Sequence, residues 1–203
     1  MTSAAMRESD TRSFDPDALR EKYRIERDKR IRSDGNDQYV EVSGDFSHYV
    51  DDPYITPGLT RESITRDVEV VIIGGGFGGM LAAARLQEAG ITDFTLIEKG
   101  GGFGGTWYWN RYPGASCDIE AYVYLPLLEE TGFIPRQKYT NAEETLEYCA
   151  VLAQRSGLHE HALLQTQVNK VVWQESSRRW QVTTDRGDVL PARFVIPSNG
   201  PPN

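Results

Sequence analysis

The 203-residue sequence has few cysteines, no long apolar run and no block of basic residues. Its two cysteines, Cys117 and Cys149, have no close-spaced partner, which excludes a disulfide framework and a redox-active cysteine pair. No apolar stretch approaches the roughly 20 residues that span a bilayer, and Met1–Asp10 lacks the apolar core of a signal peptide. The net charge of −8 disfavours binding to nucleic acid or to anionic membranes. We therefore expect a cytoplasmic protein without nucleic-acid or membrane partners.

The chain falls into two regions of different composition. Residues 1–66 are polar and highly charged, and we interpret them as a partly helical N-terminal extension. A helix is predicted from Asp15 to Ile31, because Asp15 can cap it and Pro16 suits a first turn. The aromatic residues of Asp45–Tyr54 predict either an extended arm anchored on a neighbouring surface or a loosely ordered tail. Residues 67–203 form the second predicted domain.

The second region begins with the pattern of a βαβ unit. Val68–Ile73 is a β-branched apolar run, which is typical of a buried parallel strand. A glycine-rich turn follows, then a predicted helix over Met80–Glu88 and a second strand over Phe94–Glu98. A strand, a helix and a strand within about 30 residues favour a right-handed βαβ crossover. The pattern therefore predicts an α/β, Rossmann-like domain with a parallel sheet.

The last third of the chain has a helix signal followed by three strand signals. Asn141 and Glu144 have the spacing of a capping box, which predicts a helix running to about Arg155. The three predicted strands, separated by turn residues, indicate a small β-meander; they cover Leu163–Trp173, Arg179–Thr184 and Val189–Ile196.

The turn after the first strand carries a glycine pattern that suits a dinucleotide. Gly74 permits a tight turn, Gly76 lets the backbone approach a pyrophosphate, and Gly79 lets the helix pack closely on the sheet. The helix N-terminus adds free N–H groups and partial positive charge. Glu98, at the end of the second strand, is placed to accept hydrogen bonds from ribose hydroxyls. The sequence therefore predicts a dinucleotide-binding turn.

A second string with the same glycine spacing lies at Gly100–Gly105. It is followed by bulky aromatics and a proline rather than a helical pattern, so we interpret it as a flexible loop passing close to the same cofactor. The neighbouring Trp107, Tyr108 and Trp109 favour FAD over NAD, because an isoalloxazine ring needs flat apolar walls. Packing of these aromatics in the protein core is the alternative.

The segment Gly104–Glu120, which reads GGTWYWNRYPGASCDIE, resembles the Baeyer–Villiger monooxygenases, and the likeness covers roughly residues 67–203. The resemblance implies conversion of a ketone to an ester or lactone with O₂, FAD and NADPH. It also implies that FAD contacts come from Gly74, Gly76, Phe77, Gly78, Gly79, Glu98, Lys99, Gly105, Thr106, Trp107, Tyr108, Trp109, Tyr124 and Val168.

The same resemblance assigns the loop Ser116, Cys117 and Asp118 to the neighbourhood of NADP. It further implies that Asp118 lies near the flavin and helps to hold an active-site arginine supplied by a later segment of the family. The alternative for Asp118 is an acid that caps the turn after Pro113. His159 and His161 have no further ligands at metal spacing, so no metal site is predicted.

The resemblance also implies that most of the catalytic apparatus lies outside this sequence. The family's NADPH-binding domain, its interdomain linker and its catalytic arginine have no counterpart in the 203 residues. We therefore expect that the chain alone is not active. Three interpretations stay open: the FAD-binding part of such an enzyme, a non-catalytic flavin-binding module, and a subunit completed by a separate partner chain that supplies the NADPH domain. Self-association of the chain stays open as well.

Overall fold

A computed structural model describes residues 15–38 and 43–200. The predictions made for Met1–Asp10 lie outside these residues. Contacts within the chain divide it into one unit that ends at Asp51 and a second that begins at Asp52. Residues 52–66 thus belong to the second of these units, whereas the sequence-based boundary between extension and domain was placed at residue 67. Within the described residues, no helix has both the length and the apolar character needed to cross a membrane.

The first unit contains helix α1, Pro16–Asp28, and 3₁₀ turns at Gly35–Gln38 and Gly44–Val50. Asp15 caps α1 as predicted, since its side chain accepts a hydrogen bond from the Asp17 backbone N–H. None of the residues of α1 is buried. The second 3₁₀ turn, Gly44–Val50, covers the first part of Asp45–Tyr54, for which an extended arm was one interpretation. The backbone is therefore not extended between Asp45 and Val50.

The second unit is an α/β domain, as the sequence predicts. Its elements in chain order are β1 Val68–Ile73, α2 Phe77–Glu88, β2 Phe94–Ile97, α3 Thr106–Trp109, α4 Ala121–Tyr124, α5 Leu128–Thr131, α6 Ala142–Arg155, a 3₁₀ turn Leu158–His161, β3 Ala162–Leu163, β4 Val168–Gln174, β5 Arg179–Thr184 and β6 Val189–Pro197. The strands of this described region form one sheet in the order β3-β2-β1-β6-β5-β4. Strands β3, β2, β1 and β6 are parallel, and β4, β5 and β6 form an antiparallel meander.

Strand β6 belongs to both parts of the sheet. Its first half pairs with β5, from Val189 opposite Thr183 to Ala192 opposite Trp180. Its second half pairs with β1, ending with Pro197 beside Ile73. The end of β6 is therefore brought next to the glycine turn that follows β1.

Two apolar layers cover the sheet. On one side, Met80 of α2 and Cys149 and Leu152 of α6 pack with the buried side chains Ile72 and Leu96. A second cluster joins the parallel strands to the meander, and its buried members include Val71, Ile97, Val182 and Leu190. Because both sides of β1 are covered, its near-continuous apolar sequence is accounted for.

Residues 52–66 are bound to the meander by a buried ion pair and by backbone pairing. The Arg61 guanidinium contacts the Asp188 carboxylate through two hydrogen bonds of 2.6 Å, and Asp188 is fully buried. Asp188 also accepts hydrogen bonds from the Ile64 N–H and from the Thr184 hydroxyl. Thr65 forms a parallel bridge with Val189. This segment is therefore part of the second unit.

Three local predictions differ from the structure. The strand predicted over Leu163–Trp173 is divided into β3 and β4, because Gln165 between them adopts a positive φ of 49°. Helix α2 begins at Phe77 instead of Met80. In the predicted capping box, Asn141 does cap α6, but the Glu144 carboxylate accepts its hydrogen bond from the Arg136 backbone N–H.

Candidate functional site

The glycine turn between β1 and α2 has the geometry that a close backbone approach requires. Gly74 has a φ of +106°, and a Cβ there would lie 2.5 Å from the Ser198 carbonyl oxygen. Gly76 is the N-cap of α2, and the helix has no side-chain cap. A Cβ on Gly79 would lie 1.8 Å from the Gly74 carbonyl oxygen. The helix therefore starts directly against the strand end, and its first-turn N–H groups have no partner within the helix.

Glu98 follows β2 directly and is buried, with 7% of its surface exposed. Its Oε2 accepts a hydrogen bond of 2.5 Å from the Gly75 N–H, and its Oε1 accepts one of 2.6 Å from the Gly100 N–H. The carboxylate therefore joins the two glycine strings of the sequence. Each of its oxygens retains a further lone pair for another donor.

The second glycine string lies against the first. The Gly104 N–H donates to the Gly75 carbonyl oxygen at 2.9 Å, and a Cβ on Gly105 would lie 2.9 Å from the Gly76 Cα. The chain then forms the single turn of α3 rather than a long helix. The second string is thus a loop beside the dinucleotide turn.

A cavity of about 510 Å³ opens where the two glycine strings meet the ends of the strands. Eleven of the predicted site residues line it: Gly74, Gly76, Phe77, Glu98, Lys99, Gly105, Thr106, Trp107, Trp109, Tyr124 and Val168. Six do not: Gly78, Gly79, Tyr108, Ser116, Cys117 and Asp118. The cavity has the size of a small-molecule site and is lined by backbone, aromatic and a few polar groups.

One wall of the cavity is aromatic. Trp107 is buried, and its indole Nε1 donates a hydrogen bond of 2.9 Å to the Tyr124 hydroxyl. The Phe77 ring packs edge-on against Tyr124, with ring centroids 5.7 Å apart. Burial raises the pKa of Tyr124, which favours the neutral hydroxyl. These side chains place three aromatic rings, packed edge to face, next to the start of α2.

Tyr108 lies outside this wall although it is next to Trp107 in sequence. Its hydroxyl donates a hydrogen bond of 2.7 Å to Asp52, and burial together with that hydrogen bond raises its pKa to about 12. The predicted residues near NADP lie on another loop. Cys117 is buried with Trp107, Ala115 and Ala142, whereas Ser116 and Asp118 are exposed.

Eight further residues line the cavity without being among the predicted site residues; they are Ile73, Ile97, Gly104, Thr166, Gln167, Ser198, Asn199 and Gly200. Thr166 is brought there because its N–H donates to the Glu98 carbonyl oxygen, and Ser198 because its N–H donates to the Ile73 carbonyl oxygen. The Ser-Asn-Gly sequence after a strand is a turn signal. Its place in the site follows from the parallel pairing of β6 with β1, which the sequence alone does not give.

Comparison with known proteins agrees with this geometry. Residues 72–132 match the family model of an NAD(P)-binding Rossmann-like domain. The match includes the first glycine turn, β2 and the second glycine string. The fold and site thus define a dinucleotide-binding Rossmann-like domain.

Curated proteins that are similar to this chain belong to a narrower group than the family model describes. The chain is 50% identical over 187 residues to neopentalenolactone D synthase of Streptomyces avermitilis, which covers 92% of this chain and 31% of that protein. It is 46% identical over 182 residues to a Baeyer–Villiger monooxygenase of Streptomyces coelicolor, which covers 90% of this chain and 30% of the relative. The chain spans about a third of the length of the curated relatives it matches.

Solved structures lead to the same group. The polycyclic ketone monooxygenase of the fungus Thermothelomyces thermophila matches with a TM-score of 0.75 and 37% identity, over 91% of this chain and 32% of that one. OTEMO in complex with FAD and NADP matches with a TM-score of 0.63 and 32% identity, over 67% of this chain and 26% of that one. The chain is therefore homologous to Baeyer–Villiger monooxygenases over about a third of their length, and the resemblance found in the sequence is confirmed.

Proposed function

We propose that this chain binds FAD and forms the cofactor-binding part of a Baeyer–Villiger monooxygenase, which oxidises ketones to esters or lactones with O₂ and NADPH. The observation that supports this most directly is the start of α2. The helix has no side-chain cap, and both Gly76 and Phe77 at its N-terminus line the cavity. Uncapped N–H groups and the helix dipole suit an anionic pyrophosphate.

The aromatic wall favours a flavin as the occupant. Phe77, Trp107 and Tyr124 offer flat surfaces within the cavity that also contains the glycine turn. Flat apolar walls suit an isoalloxazine ring. The name of one relative, the FAD-binding monooxygenase of Hypomyces subiculosus, agrees with this choice. When bound, FAD supplies the redox chemistry by which O₂ is activated.

Glu98 is proposed to orient the ribose of that cofactor. The hydrogen bonds from Gly75 and Gly100 fix its carboxylate at the junction of the two glycine strings. The remaining lone pairs can accept hydrogen bonds from ribose hydroxyls. Lys99, Gly105, Thr106, Trp109 and Val168 line the same cavity and complete the proposed cofactor contacts.

We propose that the loop of Ser116, Cys117 and Asp118 lies next to NADP in the complete enzyme. Burial of Cys117 anchors this loop, and the exposed Asp118 is available to a group from outside the described residues. We propose that Asp118 holds a cation there, as the resemblance implies. We propose binding of the ketone, of NADPH and of any partner chain only for the complete enzyme.

The test is a visible absorption spectrum of the purified chain after addition of FAD and removal of the excess. We expect the chain to retain a flavin spectrum, and the Gly76→Ala variant to lose it. A Cβ on Gly76 would be 3.5 Å from Gly105, an ordinary contact, so the variant is expected to fold. Its unfolding transition controls for this. A folded Gly76→Ala variant with undiminished flavin would refute the proposed pyrophosphate position.

Oxidation of NADPH separates the interpretations of the activity. We expect no ketone-dependent NADPH oxidation by the flavin-loaded chain alone. Activity that appears only when a second chain with an NADPH-binding domain is added would support a subunit completed by a partner. Activity of the chain alone would contradict the proposal that it is only the cofactor-binding part.

A further inference from the structure

The segment of residues 52–66, which precedes β1, begins with four residues that contact the second glycine string, and we call these residues, Asp52–Ile55, the clamp. The Asp52 Oδ2 accepts hydrogen bonds from the Tyr108 hydroxyl at 2.7 Å and from the Gly101 N–H at 2.9 Å. Its Oδ1 accepts a hydrogen bond of 2.9 Å from the Tyr54 N–H. One carboxylate thus joins the clamp to both ends of the loop segment that runs from Gly101 to Tyr108.

The clamp also fits the loop sterically. A Cβ on Gly101 would lie 2.1 Å from the Ile55 Cγ2 and 2.8 Å from the Tyr108 hydroxyl. Ile55 therefore occupies the place that a side chain at position 101 would need. The close contact explains why the loop has a glycine at a position where its φ imposes no such requirement.

Tyr108 connects the clamp to the cavity. Its ring lies beneath the loop, since a Cβ on Gly100 or Gly102 would come within 2.9 or 3.1 Å of it. Its sequence neighbours Trp107 and Trp109 both line the cavity. Tyr108 therefore lies in the chain between two residues of the proposed cofactor site.

Arg111 closes the clamp from the other side. Its guanidinium carbon lies 3.8 Å from the centroid of the Tyr54 ring and 4.5 Å from that of Tyr108. The two rings meet edge-on with centroids 5.7 Å apart. A cation stacked on two aromatic rings stabilises their arrangement.

We propose that Asp52 is a positioning residue for the cofactor site, which acts through the Tyr108 hydroxyl and the Gly101 N–H to hold the loop 100–109 in the shape that binds FAD. This inference rests on the proposed flavin function. It extends the site to a residue that does not line the cavity and lies before the predicted domain boundary.

The test uses four variants of the full 203-residue chain: Asp52→Asn, Tyr108→Phe, the double variant, and Asp51→Asn as the matched control. Asparagine keeps the size of Asp52 but removes its charge, and Asp51 is an exposed aspartate at the preceding position. Two quantities are measured on each chain. One is the dissociation constant for FAD, and the other is the exchange rate of the Gly101 and Gly104 amide protons without flavin, compared with the Val182 amide in β5.

We expect Tyr108→Phe, which removes the donor to a charged group, to weaken FAD binding by roughly tenfold. Asp52→Asn should weaken it by somewhat less, because the charge-assisted hydrogen bond becomes a neutral one. The double variant should be little weaker than Tyr108→Phe alone, because without the Tyr108 hydroxyl the acceptor at position 52 has lost that donor in either form. The Gly101 and Gly104 amides should exchange faster while Val182 is unchanged, and Asp51→Asn should match the unaltered chain.

Unchanged exchange at Gly101 and Gly104 in Asp52→Asn would overturn the inference, whether or not FAD affinity falls. Equal acceleration at Val182 would also overturn it, because the role of Asp52 would then be general stability. If the unaltered chain binds no FAD, the proposed function itself fails. The exchange rates distinguish that failure from a failure of the positioning role.

Discussion

The Trp107 indole donates a hydrogen bond to the Tyr124 hydroxyl, and the two residues come from separate helical turns on one wall of the cavity. Trp107 belongs to α3, directly after the second glycine string, whereas Tyr124 ends α4. The hydrogen bond therefore links the second glycine string, which precedes Trp107, to α4, which follows the loop Ser116–Asp118.

Replacement of Tyr124 by phenylalanine is expected to destabilise the protein. The substitution leaves the Trp107 N–H without its acceptor in a buried position, which costs on the order of 1 kcal/mol or somewhat more. Urea unfolding followed by tryptophan fluorescence measures the change. Tyr122→Phe in the same helix serves as control, because Tyr122 is 67% exposed. A Tyr124→Phe chain as stable as the control would contradict the importance of this bond.

Two neighbouring glycines of α2 are expected to respond differently to alanine. A Cβ on Gly79 would come within 1.8 Å of a backbone oxygen, whereas a Cβ on Gly78 would meet Ser198 at an ordinary 3.5 Å. Gly79→Ala should therefore cost on the order of 2 kcal/mol or more, since the helix must move from the strand. Gly78→Ala should be neutral or stabilising by up to about 1 kcal/mol, because alanine is the better helix former. Thermal unfolding of both variants tests this difference; equal stability would refute the close packing at Gly79.

The buried Asp188 predicts a loss of stability in acid. Hydrogen bonds from Arg61, and then from Thr184 and Ile64, lower its pKa from 3.8 to about 2. A lowered folded-state pKa contributes stability that is present above about pH 4 and is lost as the pH falls toward 2. The contribution is on the order of 2 kcal/mol.

Unfolding free energies measured between pH 5 and pH 2 test this contribution. The Asp188→Asn chain should be less stable at pH 5 and should lose less stability on acidification than the unaltered chain. Asp67→Asn, a change at an exposed aspartate, should leave the acid dependence as it is. If Asp188→Asn shows the full acid dependence, other carboxylates cause it.

The position at which the chain is shortened should decide whether the second unit is stable. A chain that begins at residue 52 keeps the Arg61–Asp188 pair and the bridge from Thr65 to Val189. A chain that begins at residue 67 leaves the Asp188 carboxylate buried without its cation, which usually costs about 3 kcal/mol or more. We expect the shorter chain to unfold at a clearly lower urea concentration. Equal urea midpoints of unfolding for the two chains would show that residues 52–66 do not stabilise the second unit.

The βαβ part of the fold is readable from the sequence because its signals are local. The β-branched run before Gly74 and the apolar run before Glu98 each define a strand, and the glycine spacing defines the turn between strand and helix. The division of the predicted strand over Leu163–Trp173 is not readable in this way. It depends on Gln165, whose left-handed backbone is held by hydrogen bonds from its N–H to Gly100 and from Arg186 to its carbonyl oxygen.

The residues of the candidate site are likewise predictable from the sequence only where the signal is local. Gly76, Glu98 and Trp107 could be assigned from motif and resemblance, and all three line the cavity. Tyr108 stands in the same aromatic run, but it points out of the cavity wall, and its hydroxyl is hydrogen-bonded to Asp52, 56 positions away. A contact between residues so far apart leaves no periodic pattern of apolar residues in the sequence. Composition alone therefore places residues 52–66 with the N-terminal extension.

The contact between Ile55 and Gly101 limits how this region can be recombined with its relatives. Since Ile55 fills the space that a side chain at position 101 would need, the two segments fit each other as a matched pair. A hybrid protein that takes its glycine string from a relative with a larger residue at position 101 must take the segment around position 55 from the same parent. The crossover point for gene shuffling therefore lies upstream of residue 52, and a junction placed between the clamp and the first strand would separate the pair.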